Sequence, residues 1–551
     1  MKLDWQPKSG NFTLHVPPKD AEKIRIEHGL NHSIPASSSL AACLYTDEPF
    51  AAAAFGEFAT EEAHRQLAPI LGEIAASWRY EPTRSVWPAT LCPATEQPYP
   101  LQLANLEYAL RRQHTLVADE PGVGKTPTAI MYGNLLAWEH GRPDLFRALV
   151  ICPASIRLQW ANKIREWSTI SGVKISVVAS SQRGIPHTSF STHWTIMSYD
   201  GAATATATDA IVGRECNYDL LVLDEAHYLK SRSTRRGRSI LGAPDRASSI
   251  AERACHILAL TGTPIPNRPR EAYPLAARMC PESIDYMSER AFNERFNPRR
   301  QRKSRFGATI GVEEGVGRYH ELQARLRSGF MVRHLFADAF PQLRLPLYDL
   351  VYAERNAPVR QALEAERLLD IDPETFTGAD GKIDGAVSTA RKLMGVALAP
   401  QCAQYVQMLH DGGEEKIVLF GWHVEVLDIW QKALDKIGVV RVDGRTSEVQ
   451  KAKAVAAFQT DPKIGVILGN VLSLGTGTDG LQKVARRVVL GEPDWVFGNN
   501  EQCIKRLYRS GQTAQVLADI FVAPGSIAER ILAAALRKGR VVFTTLDGRV
   551  A

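Results

Sequence analysis

One stretch, Leu116-Val-Ala-Asp-Glu-Pro-Gly-Val-Gly-Lys-Thr126, constrains the fold of this chain more than any other. Its first three residues are typical of the end of a buried strand, two glycines follow, and the residues after Thr126 have helical spacing. Strand, glycine loop and helix N-terminus form a phosphate cradle, because glycine leaves backbone N–H groups open to an anion and the helix dipole favours negative charge. The pattern predicts a nucleotide site, although an ordinary strand–turn–helix corner remains the alternative.

The loop predicts roles for its own residues. We expect Lys125 to reach the β- and γ-phosphates of a nucleotide and the hydroxyl of Thr126 to hold Mg²⁺. Asp119 stands where the usual form of this loop has its first glycine, so the loop is one glycine short. The backbone around the phosphates is expected to come from three residues: Gly122, Val123 and Gly124.

A second motif, Asp224-Glu-Ala-His227, follows the apolar run Leu220–Leu223. Adjacent carboxylates repel each other, so a purely structural role needs partners for both, and capping of a following helix would use only one. Binding of Mg²⁺ by Asp224 and polarisation of the attacking water by Glu225 would use both. Together with the glycine loop, this motif predicts a site that hydrolyses a nucleotide.

Short apolar runs alternate with helical patterns from about residue 96, which is the arrangement of a parallel sheet. Polar or turn-forming residues end each run, and in open α/β sheets ligands bind beyond the carboxyl ends of the strands. A second series begins near residue 346 and has no glycine–lysine loop of its own. The sequence therefore predicts an α/β fold with two parallel-sheet units in tandem. The predicted strands are Ala148–Cys152, Trp194–Met197, Leu220–Leu223 and Ile257–Leu260 in the first unit, and Lys416–Phe420, Val439–Val442, Gly465–Leu468 and Arg487–Leu490 in the second.

The region before the first unit is rich in proline and has no chemical constellation, so an accessory domain of unknown function is predicted. Its one clear helical pattern runs from Glu61 to Trp78, and Pro69 inside it is expected to kink or split the helix. The predicted organisation is an accessory region at 1–95, a first lobe at 96–285, a basic linker with a helical protrusion at 286–345, and a second lobe at 346–551.

Cations cluster at three places. Lys230–Arg238 and Arg299–Arg305 are basic runs, for which a solvated loop and a contact with nucleic-acid phosphates both remain open. If residues 502–512 are helical, Gln502, Arg506 and Arg509 share one face. Arginine suits a γ-phosphate because its planar fork is always charged, although an exposed basic helix is the alternative.

Composition narrows the class of protein. The 551 residues are 45% hydrophobic and 23% charged, as in globular proteins, and the net charge of +6 is compatible with a polyanionic partner. No apolar run approaches the roughly 18 residues of a membrane span, and the N-terminus lacks the apolar core of a signal peptide. Eight scattered cysteines without a C-x-x-C pair argue against a zinc site or a disulfide framework. These features predict a cytoplasmic protein without a membrane segment.

The order of the motifs resembles that of helicase superfamily 2, and within it the Swi/Snf family of double-stranded-DNA translocases, over about residues 96–545. The loop Asp119–Thr126 is similar to the family's DEMGLGKT form, in which the first glycine is absent. Ser473–Gly480 departs from the family's fifth motif. The other stretches that resemble family motifs are Cys152–Trp160 (Ia), Met197–Asp200 (Ib), Asp224–His227 (II), Leu260–Pro264 (III), Lys416–His423 (IV), Val442–Thr446 (the motif after it) and Gln502–Gln512 (VI).

The resemblance implies further site residues. It implies that Gln102 reads adenine, that ATP is the nucleotide, and that Arg506 and Arg509 are arginine fingers. The residues that it implies for coupling hydrolysis to motion are His227, Thr261, Gly262, Thr263 and Gln502. The residues that it implies for DNA contact are Arg157, Trp160, Ser198, Tyr199, Trp422 and His423.

Smaller details are similar to the annealing-helicase (HepA-related) branch of the family: Thr263–Tyr273, Phe330–Leu335 and, as in phage and bacterial members, Trp422–Leu427. The resemblance implies two RecA-like lobes and a DNA-dependent ATPase that uses ATP and Mg²⁺ to translocate on duplex or forked DNA, without sequence preference, during replication, repair or recombination. A bacterial or phage-infected cell and a replication or repair protein partner are implied too. The alternatives are an ATP-driven motor that displaces a DNA-bound protein such as RNA polymerase, a strand-separating helicase, and a non-hydrolysing DNA-binding module.

Overall fold

A computed structural model describes most of the chain. The described residues are 1–32, 42–139, 141, 143–179, 193–204, 208, 211, 218–242, 249–266, 268–297, 299–303, 309–313, 318–367, 385–475, 480–494, 497–530 and 532–533. Two compact units divide them: one comprises Met1–Glu120 and Gly124–His334, and the other comprises Pro121–Val123 and the residues from Leu335 onward. No helix in these ranges is both long and apolar enough to cross a bilayer.

The N-terminal region contains a small antiparallel sheet in the order β1-β2-β4-β3. The strands are β1 (Lys2–Gln6), β2 (Asn11–Val16), β3 (Asn31–His32) and β4 (Ala42–Thr46). The predicted helix is present as Glu61–Ser77. Pro69 lies within it, so the expectation of two separate helices is wrong. Pro69 lies on the exposed face, where water can bond the carbonyl that loses its helical partner.

The first lobe contains a seven-stranded sheet in the order β13-β5-β10-β9-β6-β8-β7, and every pair of neighbours is parallel. Alternate residues of β6 and β9 belong to two hydrophobic clusters, as expected of strands covered on both faces. The strands from β5 to β13 are β5 (His114–Val117), β6 (Ala148–Cys152), β7 (Ile175–Val177), β8 (Trp194–Ser198), β9 (Tyr218–Asp224), β10 (Ala254–Leu260), β11 (Arg299–Lys303), β12 (Thr309–Glu313) and β13 (Met331–Val332).

The basic run at Arg299 forms one strand of the antiparallel hairpin β11–β12, not a loop. Ser304 and Arg305, the last two residues of that run, lie outside the described residues. β13 falls within the range 286–345 that the sequence assigns to the linker and protrusion. The predicted domain boundaries stay predictions.

The second lobe contains a six-stranded parallel sheet in the order β14-β19-β18-β15-β17-β16. Its strands are β14 (Leu347–Tyr352), β15 (Ile417–Gly421), β16 (Val439–Val442), β17 (Val466–Asn470), β18 (Arg487–Leu490) and β19 (Leu517–Val522). The predicted α/β fold with two RecA-like parallel-sheet lobes is confirmed.

Helices cover the sheets of both lobes. The α-helices of the described residues are Pro18–His28, Pro49–Ala53, Glu61–Ser77, Pro100–Leu110, Lys125–Glu139, Arg157–Trp167, Tyr199–Ala202, Arg235–Ile240, Tyr273–Met279, Glu289–Phe296, Tyr319–Gly329, Phe336–Ala339, Ala357–Arg367, Gly385–Asp411, Val424–Ala433, Glu448–Thr460, Val471–Leu474 and Phe497–Ile504.

A buried cation attaches the N-terminal region to the first lobe. Arg325, which is fully buried, contacts Glu48 at 2.6 Å, Asp285 at 2.7 Å and Glu321 at 2.8 Å. Glu48 belongs to the N-terminal region and the other residues to the first lobe. Because removal of one partner from such a cluster leaves an uncompensated buried charge, the contact holds the two parts together.

Candidate nucleotide site

The glycine loop lies at the carboxyl end of β5, between that strand and the helix Lys125–Glu139. Gly122 has φ of 96° and Gly124 has φ of 85°, a left-handed conformation that favours glycine. A Cβ atom at Gly124 would also collide with Nε2 of Gln102. Val123, between the two glycines, is buried. The loop therefore depends on glycine in the way that a phosphate cradle requires.

Lys125 folds back onto its own loop. Its Nζ donates to the carbonyls of Asp119 at 2.8 Å and Glu120 at 3.2 Å. Thr126 follows in the first turn of the helix and is half-buried. A cation inside a loop of positive-φ glycines at a helix N-terminus suits a phosphate group.

Gln102 is buried in the helix Pro100–Leu110 and supports the loop. Its Oε1 accepts from the backbone N–H of Tyr99 at 2.8 Å, and its Nε2 donates to the carbonyl of Gly124 at 2.8 Å. Both polar ends of the amide thus bond to the protein itself. The reading of adenine by Gln102 stays a prediction, and the geometry adds a second role, the bracing of the glycine loop.

Asp224 ends β9, which is separated from β5 by β10, so its carboxylate and the glycine loop lie at the same edge of one sheet. Its Oδ2 accepts from the indole N–H of Trp160 at 2.7 Å, and its Oδ1 accepts from the N–H of Glu225 at 3.0 Å. Burial and the neighbouring charge of Glu225 raise the pKa of Asp224 to about 6. A divalent cation would offset both effects.

Glu225 has φ of 55° and ψ of 52°, although it is not glycine. A left-handed conformation at such a residue costs on the order of 1–3 kcal/mol and is typical of functional sites. No group of three or more His, Cys, Asp or Glu side chains able to hold a metal occurs among the described residues. Mg²⁺ needs none, since it is commonly bound by one or two carboxylates with substrate phosphates and water. Asp224 and Thr126 fit that mode.

Four of the residues expected to couple the site to motion lie together in the first lobe, and the fifth, Gln502, lies in the second lobe. Nδ1 of His227 lies 3.1 Å from the hydroxyl of Thr261, 3.4 Å from that of Thr263 and 3.2 Å from Oε2 of Glu225. The carbonyl of Gly262 accepts from Arg333 at 3.3 Å. The second and third motifs therefore form one hydrogen-bonded cluster.

In the second lobe, the prediction of one helical face for Gln502, Arg506 and Arg509 is wrong. The helix Phe497–Ile504 ends before both arginines, and i→i+3 bonds such as Arg506 N–H to Cys503 carbonyl tighten the chain into turns. Nε of Arg506 donates to the carbonyl of Gly475 at 2.7 Å. Gln502 is buried and Arg509 half-buried. Residues 476–479 of the fifth motif lie outside the described residues.

Three of the predicted DNA contacts are buried side chains. Trp160 bonds to Asp224, the hydroxyl of Tyr199 donates to the carbonyl of Asp224 at 2.8 Å, and Ser198 caps the helix that follows it. Their hydrogen bonds point into the lobe, where Trp160 bonds to the carboxylate of Asp224, Tyr199 to its backbone carbonyl and Ser198 to the backbone of its own helix. A role of these three residues in DNA contact stays a prediction. Spacing in the sequence identified the motifs but not the direction of the side chains.

The other three predicted DNA contacts are more accessible. Arg157 is half-buried and donates to the carbonyls of Ala154 and Val178. Nδ1 of His423 lies 2.8 Å from Oε1 of Glu492, and Oε2 of the same carboxylate accepts from the backbone N–H of Trp422 at 2.8 Å. These residues stay candidates for DNA contact.

Sequence reasoning missed two partners of the glycine loop. Asp119 accepts hydrogen bonds from Asn105 Nδ2 at 2.6 Å and from His334 N at 2.9 Å, and its carboxylate also lies 2.9 Å from Nδ1 of His334. His334 is 215 positions from Asp119 in the chain. Only the pairing of β13 with β5 brings them together, and no local pattern signals it.

Residues 99–349 match the SNF2-related domain. The chain is 28% identical over 461 residues to the DNA annealing helicase and endonuclease ZRANB3 of Bos taurus, covering 82% of this chain and 40% of the relative. It is 25% identical to the SWI/SNF-related matrix-associated actin-dependent regulator of chromatin subfamily A-like protein 1 homolog of Caenorhabditis elegans, covering 78% and 59%. The chain thus spans less than two thirds of the length of each of these relatives.

A solved structure, the Sulfolobus solfataricus SWI2/SNF2 ATPase core in complex with dsDNA, is 18% identical and covers 82% of this chain and 95% of that chain. Its TM-score is 0.38, so the fold assignment rests on the strand order of the two sheets and not on this superposition.

Proposed function

Because the chain belongs to the Swi/Snf family of helicase superfamily 2, with annealing helicases among its relatives, we propose that it is a DNA-dependent ATPase that translocates on double-stranded or forked DNA and remodels or reanneals it. The observation that carries the proposal is the placement of Asp224 and Glu225 at the end of β9, at the same sheet edge as the glycine loop after β5. Replication, repair or recombination is the proposed setting.

The first lobe supplies the groups for binding and hydrolysis. Lys125 and the loop backbone bind the phosphates of ATP, while Thr126 and Asp224 hold Mg²⁺. Glu225 orients the attacking water, since its carboxylate neighbours that of Asp224 at the strand end. Mg²⁺ supplies charge stabilisation to the phosphoryl group when it is bound. His227 links Glu225 to Thr261 and Thr263, so the cluster is placed to report the state of the site to the rest of the lobe.

Arg506 and Arg509 of the second lobe are proposed to act as arginine fingers. Arginine fingers stabilise the charge that develops in phosphoryl transfer and are worth about 10³–10⁵ in rate in other enzymes. A finger carried by a separate lobe couples hydrolysis to lobe motion. Gln502, buried in the preceding helix, is assigned to the coupling of hydrolysis to motion.

DNA contact is assigned to Arg157, Trp422 and His423, and we propose that it falls mainly on phosphates, since a motor must be indifferent to sequence. The basic run Lys230–Arg238 follows the carboxylate motif and is a further candidate. The proposed domains are the accessory region 1–95, the lobes 96–285 and 346–551, and the linker 286–345. A cytoplasmic location in a bacterial or phage-infected cell is part of the proposal.

A second candidate is a motor that displaces a DNA-bound protein such as RNA polymerase. The same site would drive it, with DNA only as a track. Copurification of polymerase subunits and ATP-dependent release of a stalled polymerase would favour it over the reannealing motor.

The direct test is ATP hydrolysis measured without DNA and with duplex, single-stranded and forked DNA. Lys125→Ala is expected to abolish hydrolysis and to leave DNA binding largely intact. Lys432→Ala, which removes an exposed lysine of the second lobe, is the matched control and is expected to behave as wild type. DNA-stimulated hydrolysis by Lys125→Ala would mean that the nucleotide site is wrongly assigned.

The type of motor needs a separate pair of assays. Displacement of a third strand from a triplex reports translocation on duplex DNA, and strand release from a plain fork reports unwinding. We expect ATP-dependent triplex displacement. Efficient unwinding of the fork would replace the translocase assignment with that of a strand-separating helicase.

A further inference from the structure

The N-terminal region reaches the glycine loop through the last residue of its long helix and the three residues that follow. Arg327 of the first lobe is fully buried, and its Nη1 donates to the carbonyl of Ser77 at 3.3 Å. The guanidinium of Arg327 lies 3.3 Å from the ring centroid of Trp78. The ring of Tyr80 meets the ring of His334 edge-on, with centroids 4.6 Å apart. Residues 77–80 thus form a contact segment between the accessory region and the first lobe.

His334 is the centre of this contact and is fully buried. Its Nε2 lies 2.7 Å from the carbonyl of Arg79, and its Nδ1 lies 2.9 Å from Oδ1 of Asp119. His334 therefore bridges the N-terminal region and the Asp119 carboxylate with its two ring nitrogens.

Asp119 is held as an ionised group by its partners. Burial opposes ionisation, but the charge and hydrogen bond of His334, together with the hydrogen bond from Asn105, outweigh it and lower the pKa of Asp119. The backbone of His334 adds two more contacts, since its N–H donates to Asp119 Oδ1 and its carbonyl accepts from the N–H of Glu120 at 3.0 Å. His334 thereby holds both Asp119 and Glu120, the first two residues of the loop.

The carbonyls of these same two residues, Asp119 and Glu120, hold Nζ of Lys125. A shift of Asp119 would therefore move the acceptors of the phosphate-binding lysine. These contacts form one continuous series. Residues 77–80 contact His334, His334 bonds to Asp119, and Asp119 bonds to Lys125. Because the bond between His334 and Asp119 is buried and the bonds at either end are partly buried, a loss at one end leaves a polar or charged group without its partner at the next.

We propose that residues 77–80 set the geometry of the glycine loop through His334, so that the N-terminal region controls how tightly the site binds ATP. His334 is a positioning residue in this scheme, because it acts on the nucleotide through Asp119 and Lys125. The proposal rests on the proposed ATPase function and assigns the accessory region the regulation of that site.

The first test compares His334→Ala and His334→Gln with wild type in the full-length chain. KM for ATP and the Kd of a fluorescent ATP analogue are expected to rise about tenfold, which corresponds to about 1.4 kcal/mol. DNA affinity is expected to stay unchanged. A purely structural role would reduce the folded fraction, which lowers apparent kcat but leaves KM as it was, so a KM within twofold of wild type in both variants would overturn the proposal.

The second test separates the N-terminal region from His334 itself. Tyr80→Ala is expected to raise KM for ATP severalfold alone and to add nothing in the His334→Ala background, because the Tyr80 ring contacts His334 directly. His64→Ala, an exposed histidine of the helix Glu61–Ser77, is the matched control and is expected to leave KM unchanged. If Tyr80→Ala keeps the wild-type KM, control by the N-terminal region is disproved even where His334→Ala has an effect.

The two proposals fail in different ways. A folded wild-type chain without DNA-stimulated hydrolysis would overturn the proposed function, whereas the ratio of nucleotide Kd values between variant and wild type still decides the role of His334. Thermal unfolding of each variant identifies those that do not fold. If His334→Ala does not fold, His334→Gln and Tyr80→Ala carry the decision.

Discussion

The indole N–H of Trp160 donates a hydrogen bond of 2.7 Å to Oδ2 of Asp224, and both side chains are buried. Trp160 lies in the helix Arg157–Trp167, and Asp224 ends the central strand β9. The other oxygen of Asp224 accepts the N–H of Glu225. A tryptophan that the sequence suggested as a DNA contact thus orients the carboxylate to which we assign Mg²⁺.

Trp160→Phe removes this donor and keeps most of the ring. The carboxylate of Asp224 then loses the bond that fixes its direction, and we expect the Mg²⁺ concentration for half-maximal ATPase activity to rise about 10–100-fold, as for other groups that orient metal ligands. A Mg²⁺ titration of the DNA-stimulated rate measures it.

Trp167→Phe is the matched control for this change. Trp167 lies in the same helix and is also buried, but its indole N–H has no hydrogen-bond partner among the described residues. The variant is expected to keep the wild-type Mg²⁺ dependence. Equal shifts in both variants would show that ring packing, and not the bond to Asp224, matters.

Gln102 offers a prediction that separates bracing of the loop from reading of adenine. Because its Nε2 donates to the carbonyl of Gly124, Gln102→Glu places a carboxylate against a carbonyl and disturbs the loop for any nucleotide. We expect KM for ATP and for GTP to rise in parallel, by about tenfold for a lost bond of roughly 1–3 kcal/mol. A rise for ATP alone would show that the side chain reads the base.

The strands were predictable where an apolar run is uninterrupted. The predicted ranges Ala148–Cys152, Val439–Val442 and Arg487–Leu490 are those of β6, β16 and β18. β19 escaped prediction because Asp519 interrupts its apolar residues. That carboxylate is nevertheless buried, since Nη1 of Arg487 lies 2.7 Å away and the hydroxyl of Tyr405 donates to it at 3.0 Å. A charge that finds its partners only in the folded sheet cannot be recognised from local periodicity.

The same limit applies to the site. The motifs that lie at strand ends, such as His227 with Thr261 and Thr263, could be predicted to meet because parallel strands end at one edge. The role of His334 could not, because the two-residue strand β13 that aligns it with Asp119 is too short to have a periodic pattern. Sequence spacing locates the sheet edge that carries the reactive side chains. The hydrogen bonds that support those side chains can be identified only from the folded structure.

Two stacked histidines predict the pH dependence of stability. The rings of His28 and His320 lie 4.5 Å apart and nearly parallel. Burial, with the charge of His320, lowers the pKa of His28 to about 3, and burial lowers that of His320 to about 4. Below about pH 6.5 the unfolded chain therefore binds more protons than the folded chain, so the free energy of unfolding falls as pH drops from about 6.5 toward 4.

Melting temperatures measured from about pH 7.5 to about pH 5 test this expectation. His28→Phe keeps an aromatic ring but removes one titrating group, so its melting temperature should fall less steeply with acid than that of wild type. His64→Phe, at an exposed position, should keep the wild-type slope. Identical slopes for all three proteins would exclude the histidine pair as the cause.

Lys451 supports the segment that carries Arg506 in the second lobe. Its buried Nζ donates to the carbonyl of Ser473 at 2.6 Å, and Nε of Arg506 donates to that of Gly475, two residues further on. Burial, together with the charge of Arg506, lowers the pKa of Lys451 to about 8. Lys451→Met removes the donor to the Ser473 carbonyl and loosens the turn that holds Arg506. We therefore expect kcat to fall about tenfold while KM for ATP stays constant, since an arginine finger supplies about 10³–10⁵ in rate and only part of that is lost.

Lys453→Met, which changes an exposed lysine of the same helix, is the control and should leave kcat unchanged. A higher KM in Lys451→Met would contradict this role.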